Sequence, residues 1–169
     1  MDYEVSGLPM HILLVHGTVV FVPLAALCTA LSILWPAARR RLGITTVVLA
    51  LLALVMVPVT QAAGEWLMMR VDTTTRITEH VLLGKAVLPW VIALFLVALA
   101  QWLWYRYAGA ASRNARERLG RTGVRAAGAV IALAVLVVCG GTVLAVLQAG
   151  ETGSRAVWEG SFSRDPLGQ

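Results

Sequence analysis

The sequence predicts an all-α fold, a four-helix transmembrane bundle, on three observations. Hydrophobic residues make up 59% of the 169-residue chain and charged residues only 14%, where soluble domains carry about a quarter charged residues. The uncharged residues gather into four blocks: His11 to Trp35, Ile44 to Ala63, Ala86 to Tyr105 and Ala126 to Gly150. Each block is close to or above the roughly 20 residues that a helix needs to cross about 30 Å of hydrocarbon. Continuous apolar runs rather than ten-residue alternations exclude a β-barrel, which leaves helices to satisfy the backbone in lipid. With a mean hydropathy of +0.78, the composition also excludes a soluble enzyme, a disordered chain and a disulfide scaffold.

The elements follow in order. The first ten residues carry Asp2 and Glu4 but no Lys or Arg, so the first block lacks the positive lead of a cleavable signal peptide and is expected to remain as span one. Pro23, Pro58 and Pro89 lie in or near the start of spans one, two and three. Each removes one backbone hydrogen bond and is expected to bend its helix. Asp72-Thr73-Thr74-Thr75 and Thr78-Glu79 suit the capping of helix three, which should begin a turn or two before its apolar block. In span four, Gly128 with Ala132 and Gly141 with Ala145 are small-xxx-small pairs that permit close helix contact. Cys28 and Cys139 sit inside apolar blocks and read as small buried hydrophobes. No internal repeat stands out. Residues 1–150 therefore form one transmembrane domain and residues 151–169 a polar outer tail.

The net charge of +5 must be read by location before it is read by sum. Arg39, Arg40 and Arg41 separate spans one and two. Arg106, Arg113, Arg116, Arg118, Arg121 and Arg125 separate spans three and four, so nine of the fourteen cations lie in two loops. The positive-inside rule puts both loops in the cytoplasm and both termini outside. The arginines then serve as an orientation signal in contact with anionic headgroups, and a nucleic-acid partner is not expected. Trp35, Trp66, Trp102, Trp104, Tyr105 and Tyr107 cluster at span ends as an aromatic belt.

The side chains that point to chemistry are His11, His16 and His80, because a titratable group in or beside an apolar span calls for a partner. His11 stands 28 residues before Arg39, His16 stands 23 before it, and His80 stands 26 before Arg106. At about 1.5 Å per residue, all three reach a similar depth near the outer surface. Residues five apart differ by about 140° around a helix, so His11 and His16 cannot both face one small ligand on a straight helix. His80 with either His16 or His11 would supply the two axial nitrogens of a b-type haem. Gly17 and Gly84 are the neighbouring glycines, and Gly84, four residues after His80, would let a porphyrin approach the helix. The same histidines with an outer-loop carboxylate would suit a transition metal, extended by Met10, Met68 or Met69, and a quinone or proton-relay site is a further reading. The competing expectation is a cofactor-free structural or accessory protein, its histidines serving as headgroup-level polar groups and its bundle binding a membrane partner. No Ser/His/Asp or Cys/His set, phosphate-binding Gly loop or carboxylate pair falls in a span, so independent catalysis is not expected.

Gly7-Leu8-Pro9-Met10-His11-Ile12-Leu13-Leu14-Val15-His16 resembles the opening L-P-x-H-P-L-x-V-H of the bacterial membrane proteins catalogued as domain of unknown function 2231. Thr78-Glu79-His80 with Gly84 is similar to that family's histidine before helix three, and Gly150 to Trp158, with Gly153, Ala156 and Val157, to its Gly-rich motif after helix four. Ile12 departs from the usual proline, and Glu159-Gly160 stands where many relatives carry another histidine beside a glycine. The resemblance implies a multi-pass protein of the bacterial inner membrane. Fusions of this domain to Rieske or cytochrome-like modules imply electron transfer with a membrane redox partner.

Overall fold

A computed structural model describes residues 2–161, with side chains described outside 108–119 and 121. The chain opens on a miniature antiparallel hairpin, β1 (Glu4–Val5) against β2 (Leu8–Pro9). Its two-residue turn, Ser6-Gly7, has φ of 52° and 79°, the paired positive values that match the twist of a tight hairpin. This hairpin is absent from the sequence reading, because two residues per strand carry no periodicity.

Helix α1 (Met10–Leu34) follows directly. A short α2 (Pro36–Leu42) carries the three arginines and starts on a proline, whose missing N–H is no loss in a first turn. Helix α3 spans Thr45–Met68. The chain is then helical over Thr75–Trp158, broken at Gly120, where φ 66° and ψ 173° fall in a region open essentially to glycine alone. Its two arms, α4 (Thr75–Tyr107) and α5 (Thr122–Trp158), are with α1 and α3 the four helices long and apolar enough to cross a membrane.

The boundaries differ from those expected in an informative way. Helix α4 begins about three turns before Ala86 rather than one or two, with the Thr74 hydroxyl accepting from the Ile77 N–H at 3.3 Å. Helix α5 runs on to Trp158, so the segment expected as a tail from residue 151 begins as helix; residues 162–169 lie outside the described residues. Polarity ends an apolar block but does not end a helix, since exposed turns retain their backbone hydrogen bonds. The helix likewise runs continuously through Pro23, Pro58 and Pro89.

Helix α1 packs on α3 and on the α4–α5 stretch, and α3 packs on that stretch as well. The interior is built mainly from small and β-branched side chains around a fully buried Leu94: Ala25 and Ala26, Ala50 and Ala53, Ala98, Ala145, Val22, Val57, Val91 and Val135 are buried with it. Leu27, Leu51, Leu52, Leu82, Leu96, Leu133, Leu144 and Leu147 are exposed. Polar bridges cross the seams. Thr18 and Thr60 hydroxyls pair at 2.9 Å between α1 and α3, and Gln61 Nε2 donates to the Gly84 carbonyl at 2.9 Å between α3 and α4. Thr142, fully buried, shares its hydroxyl proton between the carbonyls of Val138 in its own helix (2.7 Å) and Trp90 in α4 (3.3 Å). Cys28 and Cys139 are free thiols, both buried.

Of the two small pairs in span four, Gly141 with Ala145 lies at a seam. A Cβ at Gly141 would fall inside the Trp90 indole, whereas one at Gly128 would meet nothing within 4 Å. Gly141→Ala should therefore lower thermal stability in detergent by about 1–3 kcal/mol, and Gly128→Ala should leave the unfolding transition in place. Differential scanning fluorimetry of both variants checks this.

Candidate functional site

The bundle has two chemically distinct ends. The hairpin, the α3–α4 loop and the end of α5 share one end with the histidines, and α2 and the α4–α5 junction share the other with the arginines.

His11 lies in the first turn of α1 and reaches across to α3, where its Nδ1 sits 2.9 Å from the Thr60 carbonyl oxygen. His80 lies in the second turn of α4 and reaches across to α5, where its Nδ1 sits 3.0 Å from the Ala149 carbonyl oxygen. A carbonyl only accepts, so each Nδ1 carries the proton and donates. In the neutral ring the lone pair then resides on Nε2. The two rings meet edge to face, their centroids 6.2 Å apart and their planes at 71°.

Each imidazole occupies a notch of the same design. Gly64 lies four residues beyond Thr60, and a Cβ there would come within 2.9 Å of His11 Cε1 and 3.0 Å of its Nδ1. Gly153 lies four residues beyond Ala149, and a Cβ there would come within 2.9 Å of His80 Cε1 and 3.1 Å of its Nδ1. Positions i and i+4 share a helix face, so the glycine clears the approach to a carbonyl that also serves its own helix. The sequence has no evident repeat, yet the α1–α3 and α4–α5 pairs each hold one histidine in this way.

Half-exposed ion pairs ring the site. Lys85 of α4 meets Glu65 of α3 at 2.9 Å, beside Gly84 and Gly64. Arg76 at the start of α4 pairs with Glu159 at the end of α5, and Arg155 pairs with Glu151 at 2.7 Å. Glu159, standing where the resemblance implies a histidine, is thus engaged by a cation. Thr152 places its hydroxyl 3.5 Å from His80 Nδ1 while bonding to the carbonyls of Gln148 and Ala149 at 3.0 and 3.1 Å.

Of the residues singled out from sequence, the structure brings His11 and His80 together and leaves His16 apart. His16 is exposed, with its Nδ1 2.6 Å from the Ile12 carbonyl one turn back in the same helix. The 140° argument holds, and His11 is the inward member. Gly17 packs on α3: a Cβ there would come within 2.6 Å of Met56 Cε, one turn before Thr60, and would touch neither imidazole. Gly84 faces open space one turn along α4 from His80. Thr60, Gly64 and Ala149 went unread. Their signal is a glycine near the end of each receiving helix, but which imidazole it receives depends on helix pairing that no local pattern records.

Comparison with protein-family profiles, curated proteins and solved structures finds no match to this chain.

The hydrogen bonds make a direct prediction for the free protein. In ¹⁵N-histidine NMR in mildly alkaline buffer, where imidazoles are neutral, His11 and His80 should both appear as the Nδ1-protonated tautomer. Gly64→Ala should abolish the tethered Nδ1–H signature of His11 alone and Gly153→Ala that of His80 alone, with His16 unmoved. Loss of both signatures in either single variant would contradict separate notches.

Proposed function

We propose that this protein is a multi-pass protein of the bacterial inner membrane, with both termini outside, whose imidazole pair His11 and His80 binds the iron of a b-type haem and exchanges electrons with a membrane redox partner. The observation that carries the binding reading is the tethering of both Nδ1–H groups to main-chain carbonyls. That contact fixes the tautomer and orientation of a metal-ligating histidine and leaves Nε2 to bind. Two imidazoles on opposite sides of one ion have ring centres roughly 6 Å apart, given metal–nitrogen bonds of about 2.0 Å, and the observed centroids are 6.2 Å apart.

The donor set favours haem over a bare transition metal. Among the described residues no third His, Cys, Asp or Glu joins the pair, and Glu65, Glu151 and Glu159 are each held by a cation. A porphyrin supplies four nitrogens, so two histidines complete a six-coordinate iron and the group provides one-electron chemistry. The open surface at Gly84 gives a flat ring room beside His80. What the chain itself contributes is the orientation of two nitrogens and the exclusion of other ligands.

The membrane placement is supported by the inversion of side chains, with alanine inside and leucine outside over four long helices. Water penalises such contiguous apolar surface, and lipid does not. The orientation rests on the arginine loops, and the kinship with domain-of-unknown-function-2231 proteins on the motifs around His11, His16 and His80.

Reconstitution with haemin decides the cofactor reading. The wild type and His16→Ala should bind one equivalent with a low-spin Soret band that sharpens on reduction. His11→Ala and His80→Ala should each lose that spectrum. A wild type that takes up no stoichiometric haemin would leave the cofactor-free accessory reading in its place. Orientation is checked separately in a Cys28→Ala/Cys139→Ala background: an impermeant maleimide should label Ser161→Cys in intact spheroplasts and Arg41→Cys only after lysis.

A further inference from the structure

The arginine end holds a cleft of about 300 Å3 lined by Arg39, Arg40, Arg106, Gln101, Trp102 and Tyr105 among others, a volume at the lower end of small-molecule clefts. Its floor carries an anomaly. Gln101 is 3% exposed and its Nε2 donates to the Thr29 carbonyl of α1 at 3.4 Å. Its Oε1 has no hydrogen-bond partner among the described residues. Turning the amide over does not help, because the Thr29 carbonyl only accepts and would then face an oxygen. A buried acceptor without a donor is costly, and native structures rarely leave one unanswered.

The rim has the opposite need. Arg39 lays its guanidinium over the Tyr105 ring, 3.7 Å from the centroid, which holds the planar cation in place with its N–H edges free for an acceptor. Arg40 and Arg106 line the same opening, and no ion pair to any of the three occurs among the described residues. The cleft thus offers guanidinium donors at its mouth and, at its base beside the paired hydroxyls of Ser32 and Thr46, the one acceptor left unpaired among the described residues.

We propose that this cleft binds a phosphate ester whose alcohol bears a free hydroxyl: the phosphate sits among the guanidinium groups and the hydroxyl donates to Gln101 Oε1. Glycerol phosphodiester headgroups have this chemistry, and so do soluble glycerophosphates. Guanidinium recognises the phosphate oxygens, and the amide distinguishes this ester from other anions, because a ligand without a hydroxyl leaves Oε1 unpaired. The lipid source rests on the membrane placement proposed above; the soluble source does not.

The test compares two lipids of equal charge on the delipidated full-length protein in neutral detergent, with bound lipid counted by native mass spectrometry. Phosphatidylglycerol carries hydroxyls and phosphatidylmethanol carries none. The wild type should retain phosphatidylglycerol about tenfold better. Gln101→Leu should hold the two equally, and Arg40→Gln should weaken both. Calorimetric titration with glycerol 1-phosphate forms the soluble arm: binding that Gln101→Leu abolishes assigns the site to a soluble ester, and selective retention of phosphatidylglycerol alone assigns it to the lipid. Equal retention of the two lipids by the wild type together with no glycerol 1-phosphate binding overturns the proposal, as does a preference that survives in Gln101→Leu. The wild-type arms decide without relying on any variant to fold.

Discussion

Helices that expose most of their leucines and bury alanine hold together through close approach of their backbones, and the rest of this structure depends on that approach. Apart from Leu94 the fully buried side chains are alanine, valine and threonine, so dispersion at short range and a few polar bridges supply much of the cohesion. Ala25, Ala26, Ala50, Ala53 and Ala98 bring the chains near enough for short side chains to reach a neighbouring main chain. Thr142 reaches the Trp90 carbonyl in this way, and Gln101 the Thr29 carbonyl. These bonds need no partner side chain, because a helical carbonyl has a second lone pair to offer.

The histidine notches are the same device with a larger ring. An imidazole is too bulky to reach a helical carbonyl past a Cβ four residues on, so the receiving helix carries Gly64 in one case and Gly153 in the other. Two independent helix pairs arriving at one solution argues that the constraint is physical, imposed by a donor that must be satisfied at short helix separation. Once Nδ1 is tied to the receiving helix, the ring has little freedom left, and the two rings meet edge to face where α1 and α4 approach each other.

Much of the fold was legible in the sequence because each span is a local property: length, charge-free run and flanking arginines lie within a few dozen residues. The helix ends were less so, since Thr75 to Thr78 and Glu151 to Arg155 are polar and read as loop or tail although their helices continue. The choice of His11 over His16 was half legible. Helical phase showed that only one could face inward, but which one turns inward is set by packing on Thr60 and Gly64. Gly17 and Gly84 were drawn in by sequence proximity to a histidine. The glycines that touch the rings lie 53 and 73 residues away from them, a separation that local pattern does not bridge.

The two ends also differ in how they dispose of charge, and that difference bears on what each end can do. At the histidine end the described ion pairs are closed within the chain, Lys85 with Glu65, Arg76 with Glu159 and Arg155 with Glu151, and acids outnumber cations in the sequence there. At the other end the sequence places one acid, Glu117, whose side chain lies outside the described residues, against nine arginines. Arg39 there turns to the face of Tyr105. An aromatic quadrupole offsets only a fraction of a full charge, so the arginine end retains a demand for anions that the chain does not meet, and those anions must come from its surroundings.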